Sequence, residues 1–204
     1  MPRIDVISDA ICPWCWVGKR HLDAALETLG RDGYEVHWRP FQLNPDMPEE
    51  GVDRSAYRAA KFGSVERGRE LDARVAAMGA EAGLEFRHDR MTRTPNTVRA
   101  HRLIRFAEGP RQHALVEALF RAYFAEGQDI GDTAVLAAIA EAQGIEGAAE
   151  FLAGNALDAE IRAEDAGFRR LGISGVPSFA LDGQVLWSGA MPAAQMVEAL
   201  RAGA

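Results

Sequence analysis

The two cysteines of this 204-residue chain, Cys12 and Cys15, stand three positions apart in DAICPWCWVG (residues 9–18). They fall at the junction of two different patterns. Before them, residues 3–8 (RIDVIS) form a short, mostly apolar run bounded by polar residues, which predicts a buried strand. After them, Leu22, Ala25, Leu26 and Leu29 recur at i, i+3, i+4 and i+7, which predicts an amphipathic helix. Pro13 suits the first helical position, where its missing N–H costs nothing, and Gly30 suits the C-terminal stop. Residues 34–39 (YEVHWR) predict a second strand, ended by Pro40. The thiols therefore sit where a strand hands over to a helix inside a βαβ unit, with Cys12 at the helix start.

That position carries chemistry. A thiol attacks as its thiolate, and the free N–H groups and positive dipole end of a helix N-terminus favour negative charge on a sulfur placed there. Cys12 is thus expected to be the exposed, attacking thiol. Cys15 lies one turn further on the same side, within disulfide reach, and is expected to be the more buried thiol that resolves a mixed disulfide. Pro13 stiffens the turn between them, and Trp14 is expected to be partly exposed, offering apolar surface to a partner polypeptide. A structural staple across so short a loop would add little. Zinc normally takes four ligands, and the chain has no second CxxC and no His-x3-His nearby, so no metal is expected.

Composition narrows the setting. The chain is 48% apolar and 26% charged, with a formal net charge of −7, which suits a globular protein and gives no general attraction to nucleic acid or to an anionic membrane. No apolar run reaches the roughly 18 residues that span a bilayer, and the N-terminus does not read as a secretory signal. The expected location is cytoplasmic, where structural disulfides are rare and paired thiols work in redox chemistry.

From about residue 53 to 171 the pattern is helical, with stripes at Leu71/Val75/Met78, Ala100/Leu103/Ile104/Ala107, Leu115/Ala118/Leu119/Ala122/Tyr123, Leu136/Ile139/Ala140 and Leu157/Ile161/Phe168/Leu171. The Arg-rich stretch 87–105 reads as a charged helix face. The end returns to strands: SFALDGQVLWSG (178–189) holds two apolar runs around Asp182-Gly183, a hairpin signal, and residues 192–202 predict a last helix with Met196, Val197 and Leu200 inward. Pro177 stands just before the hairpin in GISGVPSF. Placed with the βαβ and ββα frame, the Val176–Pro177 bond is expected to be cis, leaving the Val176 backbone groups free to pair with an extended substrate segment.

These features together resemble the DsbA-like branch of the thioredoxin superfamily, and within it the FrnE-type oxidoreductases. The similar stretches run through most of the chain: SDAICPWCWVGKRHL (8–22), RPFQLNPDMPEEG (39–51), YRAAKFG (57–63), NTVRAHRL (96–103), GISGVPSFALDG (172–183) and SGAMP (188–192). The resemblance implies an α/β thioredoxin-like fold, with residues 1–50 and 172–204 as the thioredoxin-like domain and 51–171 as an inserted helical domain that shapes a groove. It implies Cys12 as nucleophile, Cys15 as resolving thiol and Pro177 as the proline facing them. It also places Asn96 and His101 beside the groove as substrate contacts. From the residues alone, Asn96 reads as a helix cap, because Thr97 begins the helical pattern, and His101 as an ordinary helix histidine.

The implied function is thiol–disulfide exchange with polypeptide or small disulfides, through a redox-active Cys12–Cys15 disulfide and no other cofactor. Glutathione is a candidate co-substrate, and the protein would act as a monomer or homodimer. The alternative is a glutathione-dependent isomerase or transferase of the 2-hydroxychromene-2-carboxylate isomerase or kappa type. Those proteins carry serine where Cys12 stands. One departure bears on mechanism. Thioredoxin carries a buried acid six residues before its nucleophile that helps proton transfer; here that position is Val6, and the acid close in sequence is Asp9.

Overall fold

The computed structural model describes residues 1–203. Strand β1 (Arg3–Ser8) runs into helix α1 (Pro13–Leu29), and β2 (Glu35–Pro40) returns parallel to β1, with Ile4 opposite Val36 and Ser8 opposite Pro40. Near the other end, β5 (Ser178–Leu181) and β6 (Gln184–Ser188) form an antiparallel hairpin, and β5 pairs antiparallel with β1. The resulting sheet has the order β2-β1-β5-β6. The hairpin turn uses Asp182 and Gly183, both at positive φ (48° and 87°), the geometry that makes Asp-Gly the favoured pair there. Helix α9 (Ala193–Gly203) lies against α1 and buries Met196, Val197 and Leu200.

Between β2 and β5 the chain forms α2 (Arg54–Phe62), α3 (Val65–Glu81), α4 (Val98–Phe106), α5 (Pro110–Phe124), α6 (Thr133–Ala142), α7 (Ala148–Ala153) and α8 (Asp158–Arg170). Helix starts follow local chemistry: Asp53, Ser64 and Asp132 each accept backbone N–H bonds as N-caps, satisfying donors that the helix itself leaves free. These helices are not a separate body hung from the sheet. Helices α4, α5 and α8 all pack on β2, and the edge N–H of Trp38 donates to the Gln112 side chain at 2.9 Å. Trp16 of α1 inserts among Phe86, Phe120 and Phe124, with ring centroids 5.1, 6.4 and 5.9 Å away. One apolar core therefore continues from the sheet into the helices.

Four readings of the middle segment are corrected. Residues 52–94 are not wholly helical, because β3 (Val52–Asp53) pairs with β4 (Arg93–Thr94). The stripe through Met78 buries only Val75 fully, and Met78 is 48% exposed. Leu171 is 80% exposed because α8 ends one residue earlier. On the same helix Ile161 of the stripe is buried, and so is a carboxylate, Asp165, which accepts from Gln42 N and from Arg169. The Arg-rich face is not all solvated either. Arg102 is 3% exposed and donates to the carbonyls of Ala156 and Gly154 beyond α7.

Candidate active site

Cys12 is the N-cap of α1, in extended backbone conformation, and Pro13 opens the helix. The Cys12 N–H donates to Asp9 O and the Cys15 N–H to Cys12 O, each at 3.0 Å. These bonds fix the turn from β1 into α1 and stack the two sulfurs on one side of the first turn. Both thiols are free. Across from them stands the segment before β5. The Val176–Pro177 peptide bond is cis, and the Cys12 thiol lies 3.5 Å from the Val176 carbonyl, to which it donates. The segment is pressed onto α1 so closely that a Cβ on Gly18 would sit 2.9 Å from Pro177 Cγ and 3.3 Å from the Phe179 ring. Cys12, Cys15, Val176 and Pro177 are thereby brought into one place by α1 and the β5 approach.

The expected exposure of Cys12 does not hold. It is 3% exposed, against 0% for Cys15, because the Val176 segment lies over its sulfur. Pro13 and Trp14 are half-buried at the same corner. The Cys15 thiol is pushed well above its ordinary value, first by burial and then by the hydrogen bond and charge of Cys12; the Ser8 hydroxyl and the Asp9 backbone pull the other way. Desolvation penalises the charged form of a buried thiol, so Cys15 is held as the neutral thiol.

Asn96 and His101 are placed in the frame rather than against the sulfurs. Asn96 donates to Met47 O at 2.7 Å and accepts from Val98 N at 3.0 Å, so it ties the α4 start to the loop after β2. His101 is 4% exposed, and its Nε2 lies 3.2 Å from Asp9 Oδ1 and 3.1 Å from Phe41 O. The sequence reading named the other half of that pair, Asp9, as the nearby acid without placing it. Asp9 has no exposed surface, and its second oxygen accepts the Leu43 N–H at 2.7 Å. It missed Lys19, 3% exposed, which bridges Asp23 at 2.8 Å and Glu117 at 3.1 Å. Neither burial has a local signal: Asp9 looks like a turn residue, and Lys19 like the polar side of α1. Among the described residues no group of three or more His, Cys, Asp or Glu side chains is arranged to hold a metal ion.

A family model for the DSBA-like thioredoxin domain matches residues 3–201. The chain belongs to that family. Cys12 and Cys15 are both free thiols, and the protein is a thiol–disulfide oxidoreductase. A Streptomyces coelicolor protein described as a probable DsbA oxidoreductase is 34% identical; the match covers 100% of this chain and 90% of that one, with a TM-score of 0.88. Bacillus subtilis YwbO, an uncharacterized protein, is 31% identical over 147 residues, 72% of this chain and 68% of its own length. The cytosolic disulfide reductase DsbM of Pseudomonas aeruginosa, in its structure with GSH, is 25% identical with a TM-score of 0.66, over 91% of this chain and 89% of that one.

Proposed function

We propose that the protein cycles Cys12 and Cys15 between dithiol and disulfide, exchanging with disulfides of polypeptides or of small thiols, glutathione among them. The observation that carries this reading is the stacking of both thiols on the first turn of α1 beneath the Val176–Pro177 segment. Cys12, as thiolate, attacks one sulfur of a substrate disulfide. A Cys12–substrate bond forms, and the other sulfur leaves with the bonding pair. Cys15 then attacks Cys12 Sγ, the Cys12–Cys15 bond forms, and the second substrate sulfur leaves. The substrate gains two electrons and the protein loses two; run backwards, the same steps oxidise a dithiol.

Val176 gives the site its substrate grip. Its carbonyl faces Cys12, so an extended polypeptide laid along this segment meets backbone groups as an added strand would. The half-buried Trp14 supplies apolar contact beside it. The cytosolic reductase among the similar structures supports a cytoplasmic setting, in which reduction of substrates is the favoured direction. Among the described residues no helix is long and apolar enough to cross a membrane. An isomerase using glutathione needs no second thiol, and the Cys15 sulfur packed behind Cys12 has no task in that reading.

The test is equilibration in glutathione buffers of graded poise, alkylation of free thiols and mass analysis. A reversible two-electron step at Cys12–Cys15 is the expected result. A potential of about −270 mV would mark a reductant and about −120 mV an oxidant. A stable glutathione adduct with no internal disulfide would overturn the reading in favour of glutathione transfer.

A further inference from the structure

The dithiol cycle needs a polypeptide held beside Cys12 while its disulfide is attacked, and very little backbone is open for that task. Strand β5 lies between β1 and β6, so both its edges are taken and an added strand cannot run on along it. Just before β5, most acceptors are taken as well. The Gly175 carbonyl accepts the Ser178 hydroxyl at 2.9 Å, and the Pro177 carbonyl accepts the Gly189 N–H at 2.7 Å. Between them the Val176 carbonyl faces the Cys12 thiol. The Val176 N–H has no partner among the described residues. The donor and acceptor of a single residue are therefore left for an incoming backbone.

Packing holds that residue from one side only. Pro177 is pressed against Gly18, but upstream a Cβ added at Gly172 or Gly175 would meet nothing within 4 Å. Glycines without neighbours leave the chain free to turn unless hydrogen bonds fix it. Ser178, which has no exposed surface, supplies them. Its hydroxyl has one proton, and that proton goes to the Gly175 carbonyl, which can only accept. The 2.7 Å contact between Ser178 Oγ and Ser188 Oγ is therefore donated by Ser188, an exposed residue at the end of β6. Gly189, the donor to Pro177, comes next in the chain. The same turn is tied to α1, the helix of the two thiols: His21 Nδ1 lies 2.8 Å from the Met191 carbonyl and donates to it.

We propose, on the basis of that cycle, that Ser178 and Ser188 are positioning residues for polypeptide substrates. The chain of bonds from Ser188 to Ser178 to Gly175, with Gly189 on Pro177, clasps the segment and holds the Val176 N–H and carbonyl where an extended backbone meets them. Neither hydroxyl is hydrogen-bonded to a sulfur among the described residues, so both act through Val176. The clasp favours extended polypeptide disulfides over small disulfides, which need Cys12 alone.

Two disulfides that release the same coloured thiolate separate grip from chemistry. One is 5,5′-dithiobis(2-nitrobenzoate). The other is a short unstructured peptide whose single cysteine is capped by the same aromatic thiol. With the peptide, the Cys12 thiolate attacks the peptide sulfur, the Cys12–peptide bond forms, and the aromatic thiolate leaves with the bonding pair. Each is mixed rapidly with the dithiol protein over a range of concentrations. Ser178→Ala and Ser188→Ala are expected to raise the half-saturating peptide concentration by about three- to tenfold, the worth of one lost hydrogen bond, and to keep the limiting rate. Release from the small disulfide is not expected to slow. Ser188→Thr keeps the hydroxyl and is expected to restore the peptide value. A peptide N-methylated beside its cysteine lacks a backbone donor, and should lose more affinity for the parent protein than for Ser178→Ala. An unchanged half-saturating concentration in both alanine variants, an equal slowing with both disulfides, a Thr variant no better than Ala, or an equal N-methyl effect in parent and variant overturns the proposal. Failure of the parent protein to release the second thiolate from the small disulfide, with no Cys12–Cys15 bond in the mass, would instead overturn the dithiol cycle itself.

Discussion

At the scale of single residues the two sulfurs have unequal surroundings. Cys12 caps the helix and touches the Val176 carbonyl, whereas Cys15 faces Ser8 and the interior. Cys15→Ser is expected to trap Cys12 as a stable mixed disulfide with glutathione, seen as an adduct in the intact mass. Cys12→Ser is expected to abolish exchange and to leave Cys15 unlabelled by a bulky maleimide in the native state, because that sulfur is buried. Rapid adduct formation on Cys15 in the Cys12→Ser protein would show that the assignments are reversed. The place of Cys12 at the helix start was legible in the sequence, from Pro13 and the leucine spacing. The covering of Cys12 was not, because the Val176 segment that covers it lies 164 residues away.

At the scale of elements, α1 and the approach to β5 determine the site through one close contact. Gly18 is buried within α1, where alanine would ordinarily favour the helix by about 0.5–1 kcal/mol. Here a Cβ would meet the stiff Pro177 ring at 2.9 Å, and overpacking costs about 1–3 kcal/mol. Gly18→Ala is therefore expected to lower stability by about 1 kcal/mol in urea unfolding, and to slow the Cys12 step by moving the Val176 carbonyl. A stability gain would show that the segment yields freely. The sequence marks Gly18 only as a glycine inside a helical pattern. Its reason lies on another element, as does that of Gln112, which caps the free N–H of Trp38 on the edge strand.

At the scale of the whole molecule, a part-buried charge cluster around the buried Lys19 joins α1 to α5. Lys19 bridges Asp23 and Glu117; His113 bonds Asp23 at 2.6 Å, and Trp16 and Arg20 both donate to Glu117. Removing one partner of a buried pair costs about 3–5 kcal/mol. Lys19→Met is expected near the lower end of that range, because both carboxylates keep other partners; thermal or urea unfolding measures it. A loss within the scatter of surface substitutions would mean that α1 and α5 are held by their apolar contacts alone.

The same cluster sets an acid limit. Burial by itself raises the Asp23 carboxyl, but the His113 hydrogen bond and the Lys19 charge outweigh it and hold the group well below its ordinary value of 3.8. A carboxyl lowered in the folded state stabilises the protein above its unfolded value, and that contribution is lost as pH falls through the folded one. Stability should therefore drop as pH is lowered below about 3.8, and Asp23→Asn should flatten that fall in acid unfolding curves. An identical slope in the variant would place the acid sensitivity elsewhere.

What the sequence determined by itself was whatever depends on near neighbours in the chain. The strand–CPWC–helix junction follows from Pro13 and the leucine spacing, the hairpin from Asp182-Gly183, and the helix starts from Asp132 and its kind. Each is a backbone preference expressed within a few residues. The tertiary structure decided which polar groups went inside. Asp9, Lys19, Arg102 and Asp165 look like surface residues along the chain, yet each is buried because a partner arrives from far away: His101 for Asp9, Glu117 for Lys19, the carbonyls just after α7 for Arg102, and Gln42 N for Asp165. A polar group costs too much to bury alone and becomes tolerable once paired. Its depth therefore depends on the fold that delivers the partner.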